Sequence, residues 1–247
     1  MAGGFDTVNA MRVLAAVVVL GYASYTDLVA RRVKNEVWLA LGGFGLVLVG
    51  VDALLGELRW QYWLGALGII VLAYVLWYVR LLYGGADAKA MMALAVLLPY
   101  RPAHHVGAWG LPVGEAFLPT ALTTLTNGVA LMVMLPVLFA LYNLVRGHVA
   151  VPAMFVGRKM PLEAAANSPV WIMEHVDDAG QVRRRTFPRR DLDATANAAR
   201  LHEKGVMEVW VTPKVPFMIP LAVGYLLALG VGDVVFQAVA RAMGVEV

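Results

Sequence analysis

Long apolar runs constrain this chain more than any other feature. Val8 to Tyr25, Val37 to Val51, Trp60 to Leu82, Ala121 to Val145 and Val215 to Ala240 carry almost no charge between polar links. At 1.5 Å per helical residue, about 20 apolar residues cross a hydrocarbon core of about 30 Å. Backbone N–H and C=O groups find no water there, so only helices or a closed barrel can cross. The runs lack the period-two alternation of barrel strands, and they specify helices. With 60% hydrophobic residues, 15% charged residues and a mean hydropathy of +0.70, the 247 residues read as one polytopic membrane protein.

The expected fold class is all-α, with about six transmembrane helices and a small α+β cytoplasmic insert before the last helix. Residues 1–145 form the membrane domain with helices one to five, 146–214 the soluble insert, and 215–247 the sixth helix of the membrane domain. Ala88 to Leu98 is only about half a span and is expected as a short fourth helix under cover of its neighbours. Tyr100 to Pro119, with three prolines and three glycines, reads as a loop on the far side. Pro136 is expected to kink the fifth span. Gly42, Gly43, Gly45 and Gly50 are expected to admit a neighbouring backbone. In the insert, charge returns. Val170 to Val176 and Gln181 to Phe187 flank the turn Asp177 to Gly180 as a hairpin, Leu192 to Glu203 reads as a helix closed by Gly205, and Val206 to Val211 as a strand.

Sixteen of the twenty Lys and Arg residues fall on the face that follows the first span, in Arg31-Arg32-Val33-Lys34, at Arg80 and Lys89, and in the insert. That face is expected to be cytoplasmic, and the multi-pass protein to lie in the cell membrane with its active site and insert on that side. The same asymmetry accounts for the net charge of +3 and pI near 9.2, so lipid rather than nucleic acid is the expected surroundings. The absence of cysteine excludes disulfides, thiolate zinc sites and a cysteine nucleophile. Met1 to Met11 lacks the features of a removable signal peptide.

Two carboxylates stand at the edges of these runs. Asp87 follows Gly84-Gly85-Ala86 and precedes Ala88-Lys89; Asp27 ends the first run just ahead of the basic turn. Ionisable groups at such positions are expensive unless they have a role. A pair brought together can share a proton and act as general acid and base on one water, which is aspartic-protease chemistry and needs no metal or other cofactor. Capping is the plainer alternative: Asp27 could pair with Arg31 or Arg32, and Asp87 could cap the helix that begins near Ala88. Lys89 stands close enough in sequence to tune Asp87 or to snorkel. His104 and His105 are adjacent and so point apart, and Glu115 and Asp233 read as solvated helix ends. Arg183 to Arg185 with Arg189 and Arg190 reads as a solvated basic strand face.

Asp87 within Gly84-Gly85-Ala86-Asp87-Ala88-Lys89, Asp27 at the end of the first span and Asn35 eight residues beyond resemble the type IV prepilin peptidases, a family of membrane aspartic proteases. The segment Val211 to Phe217 before the last span is more similar to the archaeal branch, the preflagellin peptidases. The family's Gly-x-Gly-Asp motif matches at Gly84 and Asp87, with Ala86 where the pattern has its second glycine. The resemblance implies that Asp27 and Asp87 are catalytic, supported by Gly84, Gly85, Ala86, Lys89 and Asn35. It also implies that the substrates are preflagellins and pilin-like precursors, cut at the end of a short leader. Bacterial members often add N-methylation through a cysteine-rich segment, which a chain without cysteine is not expected to do. A proton-coupled transporter using the same aspartates is the alternative, although no inverted repeat is visible; an assembly subunit would need neither aspartate.

Overall fold

The computed structural model describes residues 7–56, 60–82, 84–99, 118–177, 179–186 and 193–244. In chain order the elements are α1 (Thr7–Ala30), α2 (Asn35–Leu54), α3 (Trp60–Tyr78), α4 (Gly85–Leu97), α5 (Thr120–Val145), α6 (Ala153–Val156), β1 (Arg158–Pro161), α7 (Leu162–Ala166), β2 (Val170–Ile172), β3 (Glu174–Val176), β4 (Val182–Arg184), α8 (Ala194–Glu203), β5 (Glu208–Pro213), α9 (Met218–Gly230) and α10 (Val234–Ala242). They fall into two compact units, residues 1–131 with 216–247, and residues 132–215.

Helices α1 and α2 of the first unit, and α5, which is divided between the units after Leu131, are each long and apolar enough to cross a membrane, and α9 with α10 makes a fourth such segment if the bent pair is one span. Along α1, Arg12, Ala16, Leu20 and Ala23 are buried in one stripe, while Leu14, Val18, Tyr22 and Val29 on the remaining faces are exposed. A wide apolar face outside the core is how a helix meets lipid. By contrast α4 is buried nearly all round, packed against α2 and α3. At 13 residues it is about 20 Å long.

The structure moves several expected boundaries. The first helix runs past Tyr25 to Ala30 and stops where Arg31 turns to φ 54°. The third ends at Tyr78 rather than Leu82, and Arg80 at φ 61° breaks it. The expected single helix from Val215 to Ala240 is two helices, bent by 64°. Gly232 sits at φ 94°, and Asp233 opens α10 by accepting from the Phe236 N–H at 3.0 Å. Asn127 of α5 completes the break, donating to the Gly232 carbonyl at 2.9 Å and accepting from the Val234 N–H at 3.1 Å. Asp233 is thus a buried cap rather than a solvated helix end. Among the four glycines of α2, only Gly45 admits a backbone: a Cβ there would stand 2.8 Å from Leu97 Cα, whereas Gly42, Gly43 and Gly50 face open space.

In the second unit, β5 is the centre of a three-stranded antiparallel sheet in the order β1-β5-β2, and β3 pairs with β4 as a separate hairpin. The expected strand Val170 to Val176 is therefore divided at Met173, its halves serving two sheets. The expected helix is present from Ala194, capped by Asp193 and followed by Gly205 at φ 74°. The sequence reading missed β1, α6 and α7, all too short to show a period. Gly157 precedes β1 in extended conformation, and a side chain on it would run into the Val211 carbonyl. Leu162, Val170, Leu201 and Val209 form the core under the sheet. Glu174 ties the pieces together: its carboxylate accepts from the Trp210 N–H and from Arg184 Nε, both at 2.8 Å, and its carbonyl accepts from Asn197.

Candidate active site

Asp87 lies in the first turn of α4, and Gly84 is the residue that opens that turn. The side chain reaches back to accept from the Gly84 backbone N–H. This is the reach of a third-position acid in a capping box, and it satisfies one of the donors that a helix start leaves free. Gly84 has ordinary φ and ψ of −90° and 117°, so its need for glycine is spatial. A Cβ there would collide with the Asp87 carboxylate, 2.8 Å from Cγ and nearer still to an oxygen. Gly85 is less constrained, since a Cβ would meet Trp77 Nε1 at an ordinary 3.6 Å. Ala86 sits partly buried in the same turn.

Asp27 occupies the last turn of α1, and its carboxylate accepts from the Met218 N–H, at the start of α9. Ser24, one turn earlier, donates to the Met218 carbonyl at 3.1 Å. Of the basic turn, Arg31 acts on Asp27 through its field. Both carboxylates are thus fastened by backbone N–H groups at helix N-termini, where the helix dipole favours negative charge. Asp27 acts electrostatically on Asp87, and Asp87 is buried at 8% exposure while Asp27 is partly exposed.

Lys89 and Asn35 are brought together, but not to the aspartates. Lys89 Nζ donates to Asn35 Oδ1 at 2.7 Å, and Lys89 is not among the charges that act on Asp87. Two positions along a helix turn the side chain through about 200°, so Lys89 faces away from Asp87. The pair instead lines one end of an apolar groove of about 580 Å³ between α2, α3 and α4. The sequence reading missed the α9 N-terminus as a partner of Asp27; Pro216 and Pro220 around Met218 were the available signal of a helix start. Among the described residues no cluster of three or more His, Asp or Glu could hold a metal. Tyr83, His104, His105, Glu115, Arg189 and Arg190 lie outside the described residues.

Residues 14–151, more than half of the chain, match the Type IV leader peptidase family, and residues 150–234 match Archaeal Peptidase A24 C-terminus Type II. The preflagellin peptidase of Methanocaldococcus jannaschii is 27% identical over 219 residues, 85% of this chain and 89% of its own. That of Methanococcus maripaludis is 27% identical over 221 residues, 85% and 90% of the two chains. The prepilin peptidase EppA of Methanothermobacter thermautotrophicus is 29% identical over 128 residues, 49% of this chain and 33% of the other. Nothing in these matches supports a transporter. A match that spans both the glycine turn before Asp87 and the helix that carries Asp27 decides the assignment: the chain belongs to the type IV leader peptidase family.

Proposed function

We propose that the protein is a membrane aspartic endopeptidase that removes the short leader from preflagellins and pilin-like precursors, with Asp27 and Asp87 as its catalytic pair. The observation that carries this reading is the placing of the two carboxylates within electrostatic reach, each anchored at a helix N-terminus, in a chain of this family. Like charges so placed share a proton. The ionised carboxylate takes a proton from a water molecule as the water oxygen bonds to the scissile carbonyl carbon. The protonated partner donates a hydrogen bond to the developing oxyanion. When the C–N bond breaks, the proton taken from water passes to the leaving amine, and the pair returns to its single-proton state.

In this reading α1, α2, α3, α5 and the bent pair α9–α10 cross the membrane, and α4 is the short sixth helix that enters it without crossing. The face with Asp27, Asp87 and the strand-containing unit is cytoplasmic, in keeping with the Lys and Arg count. A precursor with an apolar helix in the bilayer and a basic leader in the cytoplasm would present its cut site at that face. The test is cleavage of a purified preflagellin by the detergent-solubilised protein, Asp27→Asn and Asp87→Asn, with thermal unfolding of each. Both folded variants are expected to lose cleavage by at least about a thousandfold. Near-normal cleavage by either one removes that residue from the catalytic pair.

A further inference from the structure

Arg12 and Asp52 form a fully enclosed ion pair with no part in the chemistry above. Arg12 is 0% exposed; Nη2 donates to Asp52 Oδ2 at 2.6 Å, and Nη1 donates to the Leu97 carbonyl at 2.7 Å. One guanidinium therefore joins α1, which carries it, to α2 through Asp52 and to the C-terminal end of α4 through Leu97. An ion pair at membrane depth costs desolvation energy and is kept where it has a function.

The location identifies that function. A helix about 20 Å long ends well short of a 30 Å hydrocarbon core, so the last carbonyls of α4 lie where water cannot satisfy them. Arg12 supplies a donor to one of these, and a cation at a helix C-terminus is also favoured by the dipole. Asp52 balances the charge. At its other end the same helix carries Asp87. Along α1, Asp27 lies about 22 Å from Arg12, and along α4, Asp87 lies about 15 Å from Leu97, at 1.5 Å per residue. The helices run antiparallel, and side chains tilt toward a helix N-terminus. Asp27 therefore leans toward the clasp and Asp87 away from it, which narrows the difference in level. Two stiff rods are joined at one end by Arg12 and carry one carboxylate each at the other.

We propose that Arg12 and Asp52 are positioning residues, which set the lengthwise register of α4 against α1 and with it the spacing of Asp27 and Asp87. The inference rests on the catalytic reading of those two aspartates. Errors of about 1 Å in placing reacting groups cost up to about a hundredfold in rate.

The test uses the full chain. Arg12→Met alone would leave Asp52 buried without its cation, so the informative variant is Arg12→Gln with Asp52→Asn, which removes both charges and keeps polar side chains. The folded double variant is expected to lose about 10- to 100-fold in kcat with KM within about twofold. Arg12→Lys, which keeps the cation, should recover part of the loss. Among the described residues, the charged groups that act on the two catalytic carboxylates are Arg31 on Asp27 and Asp27 on Asp87. Wider separation weakens the coupling that keeps one proton on two carboxylates, so the bell of kcat against pH should narrow. A merely structural role would reduce the amount of folded enzyme and leave the bell unchanged, and that result overturns the proposal.

A second measurement is independent of catalysis. The chain has no cysteine, so spin labels at Val29→Cys on α1 and Lys89→Cys on α4 report the helix separation without background. The double variant should shift or broaden that distance distribution, and an unchanged distribution overturns the proposal even if cleavage falls. If Asp27→Asn or Asp87→Asn retained cleavage, the catalytic reading would fail, and the spin-label distance would still decide whether the clasp sets the register.

Discussion

Gly84 and Asp87 occupy one another's space: the Asp87 carboxylate lies where a Cβ on Gly84 would be, and it accepts from the Gly84 backbone N–H. The first glycine of the motif is thus fixed by the aspartate it precedes. Gly84→Ala should displace that carboxylate by rotation of its side chain and lower kcat by roughly 10- to 100-fold. The thermal midpoint should move only slightly, since Gly84 stands outside the body of α4. Gly85→Ala meets only an ordinary contact and is expected to keep kcat within about threefold. Parallel kinetics of the two alanine variants check this. The same geometry makes Ala86 in place of the pattern's second glycine unsurprising, because Gly84 is the position in contact with the acid.

The glycines of α2 separate in a second way. Gly45 is pressed against the α4 backbone at Leu97, and Gly50 faces open space. Gly50→Ala should stabilise the protein by about 0.5–1 kcal/mol through helix propensity. Gly45→Ala should destabilise it by about 1–3 kcal/mol, because neither backbone can yield without shifting the helix. Unfolding in a single detergent, followed by circular dichroism, tests the opposite signs.

Much of this protein was legible in its sequence. The apolar runs announced the long helices because composition alone marks a lipid-facing segment, and Asp27 and Asp87 stood out because charge is rare beside such runs. What could not be read was spatial. Nothing local distinguishes Gly45 from Gly42, and only the approach of α4 does. Lys89 is near Asp87 in sequence, yet helical rotation turns it to Asn35. The 64° break between α9 and α10 rests on Asn127, more than a hundred residues away. The division of the predicted Val170 to Val176 strand depends on which partner each half finds.

Glu174 is the side chain on which the small sheet and hairpin of the second unit depend. It is buried and accepts from Arg184 Nε and the Trp210 N–H, and Arg184 also lies over the Trp210 ring at 5.6 Å. Glu174→Ala leaves an N–H of β5 without its acceptor and Arg184 without its counter-charge. It should cost about 2–4 kcal/mol. Glu174→Gln keeps one acceptor and should cost roughly half as much. Hydrogen exchange at the Trp210 amide, which should accelerate in both variants and more in the alanine, provides the measurement.

The hairpin turn gives a pH prediction of known sign. The Asp177 carboxylate accepts from the Gln181 and Ala179 N–H groups at 2.8 and 3.0 Å and from Arg183 Nε at 2.7 Å. The Gln181 N–H bond first, then Arg183 and the Ala179 N–H, hold it below its ordinary value of 3.8. A group whose pKa is depressed by folding stabilises the folded form above its unfolded value and loses that contribution as pH falls through the folded value. The turn should therefore be at full strength above 3.8 and weaken as the pH drops further. Because Asp177 is only partly buried and sits in a surface turn, the loss should stay within the hairpin rather than unfold the unit. Amide exchange at Gln181, corrected for its intrinsic pH dependence, should lose protection below that point in the wild type. In Asp177→Asn it should be faster at neutral pH and lack the acid step, since asparagine keeps an acceptor but has no proton to gain.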